Sequence, residues 1–129
     1  MKVFIDTSFY IARLMPNDQA HARAVKAVKS DIVPVTSSMI VNETVSLLQA
    51  RGFLSAAIEF LREARSSPCV QVVQIDSVIQ SEAWDLFVRY GGSGANPVDC
   101  SSFAVMRRMS ITKAFTFDRH FRAAGFETL

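Results

Sequence analysis

The chain has 129 residues, half of them apolar and a fifth charged, which is the balance of a globular protein and not of a disordered or fibrous one. Fourteen Lys and Arg against twelve Asp and Glu leave a net charge of +2, which neither requires nor excludes a polyanionic partner. Two cysteines, Cys69 and Cys100, are too few for a disulfide scaffold and lack the Cys-x-x-Cys spacing of a zinc knuckle, so both are expected to be reduced thiols.

The opening run Val3-Phe4-Ile5 is too short for a signal-peptide core, and no stretch approaches the ~20 apolar residues of a membrane span. A soluble, cytoplasmic protein with no membrane partner is expected, folded as a single domain over residues 1–129. Val3–Ile5 reads as a buried strand ending at Asp6-Thr7-Ser8, with Ser8 placed to cap a helix over Phe9–Arg13. From Gln19 to Lys29, His21, Ala24, Val25 and Val28 share one helical face. Ile32–Thr36 reads as a second strand, with Pro34 tolerated only at an end or an edge. Ser37 and Ser38 then offer a cap for a helix from Met39 to about Arg51, closed by Gly52.

Phe53–Ala64 carries a second amphipathic stripe, ended by Ser66-Ser67-Pro68, and Val70–Ile75 reads as a third strand. Asp76 suits the cap of a helix to Tyr90 that turns Ile79, Ala83, Leu86, Phe87 and Tyr90 inward. After the glycine-rich stretch Gly91–Ala95, Pro97 suits the first turn of a helix to Met109. Ala114–Phe117 is a fourth strand, Arg119–Ala124 a short helix and Phe126–Leu129 a candidate edge strand. Strands separated by helices pair in parallel. The fold class is therefore α/β, a three-layer sandwich with a central parallel sheet of four or five strands and helices on both faces.

In such sheets the site lies at the carboxyl ends of the strands. Asp6 directly follows the first strand and Asp118 the fourth. Glu43 shares a helical stripe with Ile40 and Leu47, and Asp99 shares one with Phe103 and Met106, so both face the core side. A carboxylate facing a core is costly unless paired, protonated or bound to a metal. Taken singly, Asp6 and Asp118 read as helix caps and Asp99 as a helix-dipole partner. Glu43 has no such simple role, and the four together point to one acidic pocket.

Setting those four acids aside leaves eight against fourteen bases, a remainder of +6. A basic body around an acidic hole suits a metal-dependent enzyme acting on a polyanion. Oxygen donors without a His or Cys cluster suit Mg²⁺ or Mn²⁺ and argue against zinc or copper. No Gly-Lys-Ser/Thr loop, Gly-x-Gly-x-x-Gly or Gly-x-Ser-x-Gly is present, which lowers the standing of nucleotide-driven, nicotinamide-dependent and serine-hydrolase chemistries.

Val3-Phe4-Ile5-Asp6-Thr7-Ser8, Thr36-Ser37-Ser38 through Asn42-Glu43 to Leu47-Leu48, Val98-Asp99-Cys100-Ser101-Ser102-Phe103-Ala104-Val105-Met106, and Ala114-Phe115-Thr116-Phe117-Asp118-Arg119-His120-Phe121 follow one another through nearly the whole chain. In order and spacing they resemble the PIN domain family, and within it the VapC-type ribonuclease toxins of toxin–antitoxin pairs. The resemblance implies an endoribonuclease that cuts single-stranded RNA with Mg²⁺, or alternatively Mn²⁺. It implies Asp6, Glu43, Asp99 and Asp118 as catalytic, metal-binding acids, with Thr7, Ser8 and Thr116 as polar supports. It also implies a homodimer and a cognate antitoxin. The glycine-rich stretch before Asp99 departs from the family pattern, and Asp118 occupies its most variable position.

Two other readings compete. A PIN-like module that binds RNA or protein without chemistry has no use for all four acids. A phosphatase or phosphoacceptor with Asp6 as nucleophile lacks both a second Asp two residues on, where Ser8 stands, and a well-placed lysine. Among other residues, His21 reads as a packed histidine, and Trp84 with Phe87 and Tyr90 as core. Arg119 and His120 are within reach of a phosphate, and Arg107, Arg108 and Lys113 form a basic cluster at the end of the Asp99 helix.

Overall fold

The computed structural model describes residues 1–129. In chain order the elements are β1 (Lys2–Ile5), α1 (Thr7–Leu14), α2 (His21–Ala27), β2 (Val33–Ser37), α3 (Ser38–Ala50), α4 (Leu54–Ser66), β3 (Gln71–Val73), α5 (Ser77–Tyr90), a 3₁₀ turn (Gly91–Ser93), α6 (Pro97–Arg108), β4 (Ala114–Phe115) and α7 (Arg119–Ala123). The four strands form one parallel sheet in the order β3-β2-β1-β4. The first and last strands in sequence are thus neighbours in space.

Successive residues of β1 point to opposite faces and both faces are covered. Phe4 packs with Val35, Ile40, Leu86, Phe103 and Phe121 on one side, and Val3 and Ile5 pack with Phe9, Ala12, Ala24 and Phe115 on the other. A third cluster, Ile11, Val41, Leu48, Ala57 and Phe60, binds α4 to α3 and α1. The expected α/β sandwich is present, with four strands. The Phe126–Leu129 segment makes a single parallel bridge, Lys113 to Glu127, and does not extend into a strand.

Pro34 sits in an interior strand, but the β2–β3 pairing begins only at Val35, so no neighbour is denied a hydrogen bond by the missing N–H. The Ser37 and Asp76 side chains cap α3 and α5 as expected, accepting from the Ile40 and Ile79 N–H groups at 3.2 Å and 2.9 Å. Ser8 departs from its expected role. It lies within α1, and Asp6 is the N-cap residue, using its backbone carbonyl alone. The Ser8 hydroxyl turns to the Asp6 carboxylate, a stronger acceptor than any backbone group in reach.

Two apolar stripes are only partly buried. On α2, Ala24 is buried whereas Val25 and the adjoining Val28 are exposed, and on α5 Trp84 is 61% exposed although its spacing suits a core position. His21 is packed as expected, its Nδ1 2.8 Å from the Ala12 carbonyl oxygen.

The glycine-rich stretch has a definite task. Gly94 has φ +102°, and a Cβ there would stand 2.8 Å from His120 Nε2. The backbone therefore passes close against the Nε2 edge of the His120 ring, and both the left-handed conformation and the close approach need glycine. Gly94→Ala should lower unfolding free energy by about 1–3 kcal/mol, read by urea denaturation. An unchanged midpoint and slope would show that the loop relaxes freely away from the ring.

Candidate active site

Asp6, Thr7, Ser8, Glu43, Asp99 and Asp118 line one cleft of about 340 Å³ at the carboxyl ends of β1 and β4. Four separate stretches of sequence thus deliver the four predicted acids to one place. Asp6 and Asp99 are buried, and Glu43 and Asp118 are half-buried.

Asp6 is the best-held member. Its Oδ2 accepts hydrogen bonds from Ser8 Oγ at 2.9 Å and from Thr116 Oγ1 at 2.8 Å. Each hydroxyl in turn accepts a backbone N–H from the segment after β4, Ser8 from Phe117 at 2.9 Å and Thr116 from Asp118 at 3.0 Å. Burial nevertheless raises the proton affinity of Asp6. The Thr116 and Ser8 hydroxyls and the Thr7 backbone N–H draw it back, while the Asp118 charge adds to the rise.

Asp99 stands in the first turn of α6 in a reciprocal capping box. The Asn96 side chain accepts the Asp99 N–H at 2.9 Å, and Asp99 Oδ2 accepts the Asn96 N–H at 3.0 Å. This capping role coexists with the acid's place in the cleft. Burial pushes Asp99 up to about 6. The Asn96 N–H opposes the shift, the Asp118 and Asp6 charges reinforce it, and His120 again opposes it. Glu43 is raised too, first by burial and then, against the pull of the Thr7 hydroxyl, by the charges of Asp6 and Asp118. Thr7 itself is buried against Thr44, their hydroxyl oxygens 3.5 Å apart.

Asp118 caps α7, its Oδ1 accepting the His120 N–H at 2.9 Å. The same oxygen lies 2.6 Å from His120 Nδ1, and Asp99 Oδ2 lies 3.9 Å from it. The ring is turned so that neither nitrogen makes a directed hydrogen bond, and both nitrogens are cut off from solvent. Ligand atoms of Asp99, Asp118 and His120 lie within 4.8 Å of one another. Clustered carboxylates beside an imidazole whose nitrogens make no directed hydrogen bond form a donor set suited to a divalent cation, with oxygen donors favouring a hard one.

Several cleft residues escaped the sequence reading. Asp18, Asn96 and Arg51 also line it, Arg51 as its one base. Capping-box spacing marks Asn96 in retrospect, but Asp18 and Arg51 carry no local signal. The expected basic cluster is dispersed. Arg108 is held by Glu82 at 2.9 Å, Arg107 donates to the Tyr90 hydroxyl at 3.3 Å, and Lys113 lies beside Phe115. Cys69 is exposed and Cys100 buried, and neither forms a disulfide. No helix is long and apolar enough to cross a membrane.

Comparison with known proteins accords with this arrangement. Residues 3–127 match the PIN domain family. The chain is 36% identical over 126 residues to the 23S rRNA-specific endonuclease VapC20 of Mycobacterium tuberculosis, covering 96% of this chain and 95% of that one. The crystal structure of the same Mycobacterium tuberculosis VapC20, a Sarcin-Ricin loop cleaving toxin, superposes with a TM-score of 0.88 at 36% identity over 96% of this chain and 95% of its own. FitAcB from Neisseria gonorrhoeae (TM-score 0.70, 14% identity, 100% of this chain and 96% of its own) shares the fold. So does VapBC2 from Rickettsia felis, bound to a DNA fragment from their promoter (TM-score 0.72, 9% identity, 100% and 98%). The chain belongs to the PIN domain family and, within it, to the VapC-type ribonuclease toxins.

Proposed function

We propose that this endoribonuclease cleaves single-stranded RNA at the acidic cleft with Asp6, Glu43, Asp99 and Asp118 as its metal-holding catalytic acids. The convergence of those four acids from separate segments on one cleft carries the reading. Asp6 and Asp99 form the fixed part of the ligand set, the first oriented by Ser8 and Thr116 and the second by Asn96. Thr7 orients Glu43, and Asp118 is steadied by its cap on α7. Mg²⁺ is the proposed ion, with Mn²⁺ as its substitute. When bound, a divalent cation supplies an activated water and neutralises charge on the reacting phosphate. The side chains hold that chemistry in register, and Arg51 at the rim offers a positive contact to the incoming strand.

The similarity to VapC20 supports 23S ribosomal RNA as the substrate, cut in a loop where bases are unpaired. It supports action in the cytoplasm, where ribosomes are. The toxin–antitoxin setting of the family supports a cognate antitoxin as partner. A homodimer is proposed on the same resemblance.

Asp6→Asn and Asp99→Asn should each reduce metal-dependent cleavage of an end-labelled RNA by more than ~100-fold, since even partners that merely orient metal ligands are worth 10–100-fold. Both variants should remain folded, because each removes a charge that burial opposes. Cutting by Asp6→Asn at the parental rate would sink the assignment.

The raised acids also set a pH dependence. A carboxyl with an ordinary value of 3.8 that is pushed up to about 6, as for Asp99, adds no penalty below 3.8. The penalty grows as pH rises between the two values and is complete above about 6. With chelator present, melting temperature should therefore fall by several degrees between pH 4.5 and pH 7, each kcal/mol being worth roughly 3–6 °C in a chain of this length. Saturating Mn²⁺ should restore much of the loss at pH 7 and little at pH 4.5. A metal effect independent of pH would place the ion elsewhere.

A further inference from the structure

The acidic cleft does not end at Asp118. A second concavity of about 470 Å³ shares Ala20, Phe117 and Asp118 with it and is lined by Arg23, Arg119 and Arg122. A third, of about 430 Å³, shares Arg23 and Leu129 with the second and adds Lys26, Lys29 and Lys113. The three run end to end, from the carboxyl ends of the strands, past α7 and α2, to the outer side of β4.

Charge divides sharply along this line. The inner cleft carries the four acids and Asp18 against Arg51. The outer two concavities carry six bases, and their acids are Asp31 and the junction residue Asp118. None of the six bases makes an ion pair with a carboxylate, whereas Arg62 and Arg108 elsewhere are each held by a glutamate. Five of the six are exposed and Lys113 is half-buried. Bases left unpaired along one continuous groove are free to meet the phosphates of an extended strand.

The junction is also ordered. The Arg23 guanidinium lies over the Phe117 ring, 5.1 Å from its centroid, and Phe117 in turn stacks on Phe9 with centroids 6.2 Å apart. Arg23 is thus held at the mouth of the groove, which also bears the acid that lines both compartments. Arg122 donates to Thr128 Oγ1 at 2.9 Å, which directs it along the groove wall. Trp84, the exposed aromatic that composition alone would nominate for stacking on bases, lines none of the three concavities.

We propose that this basic groove carries the phosphodiester backbone of the substrate RNA on one side of the scissile bond, entering or leaving the acidic cleft past Arg23 and Arg119. The proposal rests on the ribonuclease reading and assigns the path of the strand on that one side of the scissile bond. Alternating charge along the track serves two ends. The bases hold the polyanion, and the acids accept a phosphate only once a cation has compensated them.

The test uses the full-length protein and a fluorescein-labelled single-stranded RNA oligonucleotide, with anisotropy read from 50 to 300 mM salt in chelator. The triple variant R23Q/K26Q/R122Q should bind roughly tenfold or more weakly at 100 mM salt, with a log–log salt slope shallower by about 2, since each single-strand phosphate contact contributes ~0.7. Its melting temperature and its Mn²⁺ affinity by calorimetry should match the parent. The control R62Q/R65Q on α4 should bind RNA as the parent does. An unchanged affinity and slope in R23Q/K26Q/R122Q would overturn the groove, including the case in which the variant instead loses an acidic protein partner. Weakened binding in a protein that cuts no RNA in any metal would uphold the groove and count against the ribonuclease reading alone. Cleavage with unchanged RNA binding would do the reverse.

Discussion

The Asp6 carboxylate is taken almost wholly out of water at the end of β1, and the two hydroxyls that donate to it come from opposite ends of the chain. Burial of a charge is opposed by several kcal/mol unless hydrogen bonds compensate, so the arrangement around Asp6 has to be complete to be tolerated. Ser8 and Thr116 each donate to Asp6 and accept an N–H from the turn after β4, which makes them rivets between β1 and β4 as much as supports for an acid. Asp118 is held in place by the same turn. The geometry of the cleft therefore follows from one constraint, that a buried carboxylate be satisfied by groups which in turn fix the neighbouring strand.

The sheet order serves this constraint. With β1 between β2 and β4, the carboxyl ends of the central strands receive α1, α3, α6 and α7 around one point, and each brings an acid on its first turns or at its cap. Helix N-termini favour negative charge, which offsets part of the mutual repulsion of the carboxylates. Burial, reinforced by that repulsion, appears as raised proton affinity at Asp6, Glu43 and Asp99. A divalent cation held there, as proposed above, would offset that raised proton affinity.

Much of this was readable from residues alone because the informative signals were local. Asp6 and Asp118 stand at strand ends, and Glu43 and Asp99 break apolar helical stripes that otherwise hold Ile40, Phe103 and Met106. What stayed hidden depends on tertiary neighbours. Ser8 had the sequence position of a helix cap, and only the proximity of Asp6 and Thr116 shows why its hydroxyl turns elsewhere. Periodicity placed Trp84 and Val25 on apolar faces, but it carries no information on whether a further element covers those faces, and none does so fully. The sequence puts His120 within reach of a phosphate, but nothing local reports that Gly94 packs against its Nε2 edge. Basic residues were grouped by closeness in sequence, which joined Lys113 to Arg107 and Arg108, whereas the fold sends Lys113 to the far side with α2.

The bond from Thr116 to Asp6 spans 110 positions, and it has a consequence for biosynthesis. Strand β1 leaves the ribosome well before its neighbour β4, Thr116 and Asp118 emerge. Until they do, Asp6 lacks one of its two hydroxyl donors, β1 has an open edge, and the fourth acid is absent from the cleft. A nascent chain whose α7 is still within the exit tunnel therefore lacks the completed acidic cleft. The cleft is assembled only after β4 has joined β1, and a contact between segments so far apart in sequence carries a large loop-closure cost in folding.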